Sequence, residues 1–594
     1  NQKNIDIVKH KEFNTVGRST GNTGAYTGRK LKFGLRLEGG GKAGSFKREF
    51  AVVHSMRGEG EVVEDKFMSP KEEKLQPQSS SESESDDEGA EEVHLHALEE
   101  ALVQNPHNYD AHVQYIKALR KYSHVEKLQI AREAMSSLFP LSPAMWQEWA
   151  KDETCLNSSS EAVSSIEQLY ERGLCDYMSV PLWSDYLNFM QECDESVSQC
   201  TQEGTAKIRA LFERALTAAG LHMSEGGKLW TAYREFEQAL LITMEENDGK
   251  VKSKQVDRIR NIFRRQLSVP LVDMDATLED YKAWEQQQGN VIRIDIEHLT
   301  GFPSIVIAAY RKAVEMYKSR ADHEEKLAVG KNADTKQLQH YLNYINFEKS
   351  SGDPARVQVL YERAITEFPV VTELWLDYTH YLDSSLKVPH IIKAVYARAV
   401  RSCPWVEALW AKYMLALERF DASEEELSRV FELSLQCGFS NPEENLDLFL
   451  TRADGLRRKI MKRDEISNTS WVALLRETFQ RAAEYLSQNL NYTDQFLHLH
   501  AYWARLECQL AKDMAAARGV WESLIKKSGS ILEVWQGYID MELALNNVSE
   551  ARAIYKRCYS KRFKGNGSEV ICKAWAHFER EHGSLVDLDQ ALIK

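Results

Sequence analysis

The 594-residue sequence has no uninterrupted apolar run of about 18 residues, which argues against a membrane-spanning helix. It also lacks a charged start followed by an apolar stretch, so a secretory signal is not expected. Its nine cysteines form no C-x-x-C pair; an odd, scattered set suits buried thiols in a reducing compartment better than a disulfide frame. No H-E-x-x-H, G-x-S-x-G or protein-kinase signature occurs. His498 and His500 are two residues apart, as are His94 and His96, so on a helix each pair diverges and cannot share a metal. Gly39-Gly40-Gly41-Lys42-Ala43-Gly44 comes nearest to a phosphate loop and fails twice: Arg36 replaces the first glycine and Ala43 the magnesium-binding hydroxyl. The expectation is a protein without catalytic residue, cofactor or metal.

At roughly 150 residues per domain, the length would suggest about four domains unless the chain is a repeat array. With 43% hydrophobic and 28% charged residues, the composition is globular. Charge is unevenly placed. Residues 1–60 carry 12 Lys/Arg against 5 Asp/Glu, whereas residues 61–92 carry 3 against 12. Residues 1–67 read as a basic, Gly-rich flexible segment. Met68 marks a candidate natural start, which would make that segment an extension. Residues 68–92 read as an acidic, Ser-rich disordered linker, because QSSSESESDDEGAEE offers nothing apolar to offset ordering entropy. Within it, Ser81, Ser83 and Ser85 each have an acidic residue three positions later, the pattern of acid-directed phosphorylation; a plain solvating linker is the other reading.

From about residue 93 one pattern recurs. An aromatic residue stands three before a second, with a third apolar residue three later, often followed by Glu. The strong copies are anchored by Trp183 and Tyr186, Trp230 and Tyr233, Tyr341 and Tyr344, Trp375 and Tyr378, Trp410 and Tyr413, and Trp535 and Tyr538. Weaker copies centre on Tyr115, Trp149, Tyr281, Phe449, Trp503 and Trp575, giving twelve in all. Most centres lie 34–37 residues apart, and gaps of 47, 48, 63 and 54 mark insertions. Steps of three place the anchors on one helical face. A second helix follows each: near Pro389 it would present Ile392, Val395, Tyr396, Ala399 and Val400. Prolines 140, 270, 369 and 404 close second helices, which share strings such as Phe212-Glu213-Arg214-Ala215 and Tyr361-Glu362-Arg363-Ala364. One such hairpin cannot bury its own aromatics, so it must stack on its neighbours. The anchors are expected to be core, not a base-stacking platform.

The W-x-x-Y-x-x-F-E first helix and E-R-A second helix resemble half-a-TPR (HAT) repeats, a class found in RNA-processing factors. Longer strings, among them FPLSPAMWQEW (139–149), GDPARVQVLYERAI (352–365) and SCPWVEALWAKYMLALER (402–419), resemble the repeat domain of the U4/U6 recycling-factor family of the squamous cell carcinoma antigen recognised by T cells 3. The likeness covers roughly residues 93–590 and weakens at Phe449, where Leu446 replaces the usual Trp, and over 286–340. It implies an all-α, right-handed superhelical solenoid of about twelve HAT (TPR-like) hairpins, with N-terminal repeats over 93–330 and C-terminal repeats over 331–594. It further implies a non-catalytic nuclear scaffold in pre-mRNA splicing, acting in U4/U6 snRNP assembly and recycling. Implied partners are splicing factors, ubiquitin-specific proteases and a second copy bound through the last repeats around Trp503, Trp535, Trp575 and Phe578. In that family two RNA-recognition motifs follow the repeats; no stretch like K/R-G-F/Y-G/A-F-V occurs before Lys594.

Two other readings stay open. HAT arrays also serve mRNA 3′-end cleavage and ribosome biogenesis. Direct RNA binding would fall to the basic leader (Arg29, Lys30, Lys32, Arg36) or to Arg457, Arg458, Lys459, Lys462 and Arg463, although the chain beyond residue 92 carries 60 basic against 72 acidic residues.

Overall fold

In the computed structural model the described residues are 84–594, less 157–158, 245–248, 290–292, 295–298, 301–302, 330–333, 463–468, 490–493, 564 and 594. Ser81, Ser83 and the basic leader lie outside them. Helix α1 spans Glu84–Gln104, so the stretch expected as linker is helical from residue 84, with Ser85 in its first turn. Carboxylates there favour a helix start because they face the positive end of the backbone dipole.

Twelve hairpins follow. In the N-terminal half they are α2 (Tyr109–Lys121) with α3 (Val125–Leu138), α4 (Pro143–Leu156) with α5 (Ser160–Asp176), and α6 (Val180–Cys193) with α8 (Gln202–Ala219), the short α7 (Glu195–Ser198) lying between the last two. Next come α9 (Gly226–Thr243) with α10 (Gly249–Gln266), and α11 (Met274–Gln287) with α12 (Ser304–Lys318), followed by α13 (Ala321–Val329). The C-terminal half holds α14 (Thr335–Ser351) with α15 (Pro354–Glu367), α16 (Thr372–Tyr381) with α17 (Pro389–Ser402), and α18 (Glu407–Arg419) with α19 (Glu424–Leu435). It continues with α20 (Pro442–Met461) and α21 (Thr469–Asn489), α22 (Asp494–Leu506) and α23 (Met514–Ser528), α24 (Leu532–Ala544) and α25 (Val548–Cys558), and α26 (Gly567–His582) and α27 (Leu585–Ile593). Each of the twelve pattern centres falls in a first helix, and among the described residues the array is an all-helical solenoid apart from one small ribbon. Strands β1 (Arg293–Ile294) and β2 (Leu299–Thr300) pair antiparallel in the irregular insertion before α12. Among the described residues no helix is long and apolar enough to cross a membrane.

Hairpin turns share a device. Ser123, Gly352, Lys387, Asp421, Lys512 and Asn546 all have φ between 51° and 80°, the left-handed cap that returns the chain after a helix. Two first helices, α16 and α22, end in π-helical turns, Leu382–Leu386 and Glu507–Ala511, ahead of Lys387 and Lys512. The main buried cluster of the N-terminal half runs from Leu95 to Ala313, that of the C-terminal half from Leu327 to Ala591.

The spine of these cores is aromatic. On five second helices a ring stacks on the central aromatic of the next first helix: Tyr170 on Tyr186 at 5.0 Å, Phe212 on Tyr233 at 4.7 Å, Phe263 on Tyr281 at 4.9 Å, Tyr361 on Tyr378 at 4.5 Å and Tyr396 on Tyr413 at 5.7 Å. The indole N–H of the first anchor then ties down the preceding turn. Trp375, Trp410 and Trp535 donate to the carbonyls of Pro369, Pro404 and Gly529, each six residues back.

Candidate interaction surface

All twelve strong anchors (Trp183, Tyr186, Trp230, Tyr233, Tyr341, Tyr344, Trp375, Tyr378, Trp410, Tyr413, Trp535 and Tyr538) are buried. Of the residues the resemblance assigns to a dimer region, Trp535, Trp575 and Phe578 are buried inside the chain and Trp503 is half-buried. They hold repeats together and offer little to a partner. Exposed apolar side chains in that region lie instead on α26 and α27, at Val570, Leu585 and Val586.

The E-R strings carry an ordered set of ion pairs. Arg172 grips Glu133, Arg214 grips Glu171, and Arg265 grips Glu213, each through two nitrogens at 2.6–2.8 Å. The pattern resumes with Arg363 on Glu324, Arg398 on Glu362, Arg481 on Glu432 and Arg557 on Glu522. In the dipeptides Glu171-Arg172, Glu213-Arg214 and Glu362-Arg363 the arginine reaches back to the preceding second helix (α13 taking that place before α15) and the glutamate receives an arginine from the next one. Hydrogen bonds from these arginines hold Glu133, Glu171 and Glu213 below the usual carboxylate range. Arg172, Arg214, Arg265 and Arg557 also lie over the anchor rings of Trp146, Trp183, Trp230 and Trp535. A second set explains the Glu that ends the first-helix pattern. Glu237, Glu285, Glu348, Glu507, Glu542 and Glu579 are buried and are held by Arg209, Arg260, Arg320, Arg476, Arg518 and Arg552 of the preceding unit. Exposed rungs contribute up to about 1 kcal/mol each, and buried ones mainly fix register because desolvation offsets their attraction.

The basic cluster on α20 is largely neutralised. Arg458 makes two bonds to Glu418, Lys459 pairs with Glu424 at 3.2 Å, and Arg457 lies 3.9 Å from Asp454, while Arg463 is outside the described residues. Helix α10 is more basic and was hidden from a search for consecutive charges. It carries seven Lys/Arg and one Asp, and Lys250, Lys254 and Arg258 share an exposed face at i, i+4 spacing with no ion pair among the described residues. His500 is buried, with its Nδ1 2.9 Å from the Phe496 carbonyl oxygen, while His498 is exposed. Among the described residues no cluster of three or more His, Cys, Asp or Glu is arranged to hold a metal.

Sequence reading missed the place where the two halves meet. Arg401 of α17 donates to Asp176 at 2.9 Å and to the carbonyls of Ser136 and Phe139 at 2.7 Å. Arg398 donates to the Asp176 carbonyl at 3.0 Å while holding Glu362. The other Asp176 oxygen accepts from Leu141 N and Trp146 Nε1, at 2.9 and 3.0 Å. Asp176 ends α5 and carries no repeat signature, so only the folded chain reveals its role. Nearby, burial with Arg363 and Lys228 pushes His222 down to about 3, so it stays neutral. Two concavities open along this seam, of about 900 and about 220 Å³.

Comparison with known proteins places this architecture. Residues 93–590 match the family described as Suppressor of forked protein (Suf). The Homo sapiens protein named spliceosome associated factor 3, U4/U6 recycling protein is 32% identical over 509 residues, covering 84% of this chain and 49% of that protein. The Schizosaccharomyces pombe mRNA 3′-end-processing protein rna14 is 21% identical over 537 residues, covering 82% of this chain and 68% of that protein. The crystal structure of CstF-77 aligns with a TM-score of 0.35 and 17% identity over 76% of this chain and 87% of that one. The chain thus spans about half the length of the spliceosomal relative. With its HAT hairpins, their shared anchors and the match over residues 93–590, the chain belongs to the suppressor-of-forked family.

Proposed function

We propose that this chain is a non-catalytic scaffold of nuclear RNA processing, serving U4/U6 snRNP assembly and recycling in pre-mRNA splicing. The recurring aromatic spine supports this reading. It commits the large side chains to holding twelve hairpins in register, and leaves long outer faces for docking other proteins. Relatedness to a protein named for U4/U6 recycling selects splicing over mRNA 3′-end processing, the role named in the more distant rna14. Splicing proteins and ubiquitin-specific proteases are the partners this reading assigns, with a second copy meeting the C-terminal repeats through the exposed face of α26 and α27. U4 and U6 RNAs are held indirectly or by RNA-recognition motifs elsewhere in the protein. The test is affinity capture of the endogenous full-length protein with sequencing of bound RNA. Enrichment of U4 and U6 over other small RNAs is expected; enrichment of 3′-end cleavage factors without them would transfer the protein to the alternative.

The exposed cations of α10, which make no ion pair among the described residues, favour a second reading, in which this helix contacts RNA phosphates directly. Fluorescence anisotropy with a single-stranded 20-nucleotide RNA tests it. The K250E/K254E/R258E variant should weaken binding and flatten the salt dependence by about 2 in log–log slope, the value for three lost phosphate contacts. An unchanged slope dismisses it.

A further inference from the structure

The two concavities on the seam differ in chemistry and adjoin each other. The smaller is walled by Tyr109, Phe139 and Val370, from both halves of the chain. Tyr109 is 41% and Val370 60% exposed, so apolar surface inside a concave site is left to water. The larger is lined by Glu225, Glu325 and Glu367 among others, and Thr366 lines both. The charges there do not cancel. Arg363 is committed to Glu324 and Lys228 to Glu225, whereas Glu325 and Glu367 are exposed and have no cationic partner among the described residues. Among the described residues Glu367 accepts only the Tyr341 hydroxyl, at 2.7 Å. Neutral His222 adds nothing to offset them.

We propose that this seam is a docking site for an extended segment of a partner protein. An apolar side chain of that segment enters the Tyr109–Phe139–Val370 pocket, and a Lys or Arg a few residues away meets Glu325 and Glu367. An apolar anchor in a concave pocket beside a complementary charge is the arrangement that concentrates binding energy at protein interfaces. Nucleic acid does not fit, because uncompensated carboxylates repel phosphate. Because each half supplies part of the site, the segment binds only when the Asp176–Arg401 latch holds the halves together. The proposal rests on the scaffold reading and gives it an address and a partner chemistry.

The experiment selects a displayed library of random 12-residue peptides on the whole chain, then measures the enriched peptides by fluorescence anisotropy. Val370, Glu325 and Glu367 are exposed, so V370E and E325K/E367K should keep the wild-type circular dichroism and unfolding midpoint. The enriched peptides should pair an apolar residue with a nearby Lys or Arg, and each variant should weaken them by about tenfold or more. R401A breaks the latch, and because Arg401 also lines the smaller pocket it should weaken binding at least as much as V370E. Failure to enrich any peptide, enrichment of acidic peptides, or binding to all variants within about twofold of wild type would each overturn the proposal. Capture of U4 and U6 RNA by the full-length protein is read in parallel. Its loss with seam binding intact would fault the splicing assignment, and its persistence with no seam binding would fault only the site.

Discussion

Replacing Trp535 tests the aromatic spine most directly. The side chain is 1% exposed, its Nε1 donates to the Gly529 carbonyl at 2.9 Å, and the Arg557 guanidinium lies 5.6 Å from its ring centre. Trp535→Ala empties an indole-sized space that helices on both sides cannot close, at a cost of about 3–5 kcal/mol. It also frees the Gly529 carbonyl, worth about 1 kcal/mol where water reaches it poorly. Trp535→Phe separates these contributions: most of the ring contact survives and the N–H does not, so about 1–2 kcal/mol is expected. Trp405 supplies the control, because at 55% exposure its truncation should cost less than about 0.5 kcal/mol. A stacked array unfolds by neighbouring units, so a urea curve alone would blur the result. Hydrogen exchange resolved along the chain should show lost protection centred on α23–α25, with α4–α10 unaffected. A cost below about 1 kcal/mol for Trp535→Ala, or equal costs for Trp535→Ala and Trp405→Ala, would refute the claim that these rings form the load-carrying core.

The ion pairs should divide by burial. Arg265→Ala, on a half-exposed rung, should cost under about 1 kcal/mol and less in high salt, whereas Arg320→Ala strands buried Glu348 and should cost about 3–5 kcal/mol; urea titrations at two salt concentrations check both. Arg401→Ala should loosen the seam without melting either half, seen as a larger radius of gyration in small-angle scattering and unchanged helicity by circular dichroism. His222 sets a pH dependence. Its native value, about 3, lies below the unfolded value near 6.5, so between those limits the unfolded chain holds the extra proton. That contribution is complete above about pH 6.5 and is lost as pH falls, by at most about 1.4 kcal/mol per pH unit. His222→Asn should flatten stability between pH 7 and 5; an unchanged slope would show that His222 is not the source.

The repeat was legible because anchor spacing in the chain maps directly onto one face of a helix. Trp375 and Tyr378 announce their neighbourhood three residues apart. The hairpin boundaries were legible at Pro140, Pro369 and Pro404 for the same local reason. What stayed hidden was pairing across helices. Glu213 and Arg214 sit side by side in the chain but serve Arg265 and Glu171, on different helices. Asp176 is invisible in sequence because its partners at Arg398 and Arg401 lie more than two hundred residues away. Helix α10 escaped for a different reason: its cations are spread by helical spacing, so they form a stripe in space and no run in sequence. The weak repeat at Phe449 still builds a first helix, because Leu446 fills the place of the missing indole.

The back-reaching Arg and forward-facing Glu of the dipeptides at 171–172, 213–214 and 362–363 give α5, α8 and α15 a plug on one side and a socket on the other. Removing one whole hairpin from the middle of a run would bring an identical plug to an identical socket, and the stack could close over the gap. Removing half of one would set mismatched ends against each other. The chain can therefore lengthen or shorten over evolutionary time in whole units while keeping its internal fit, and the insertions between centres show variation confined to the places where that fit is not at stake.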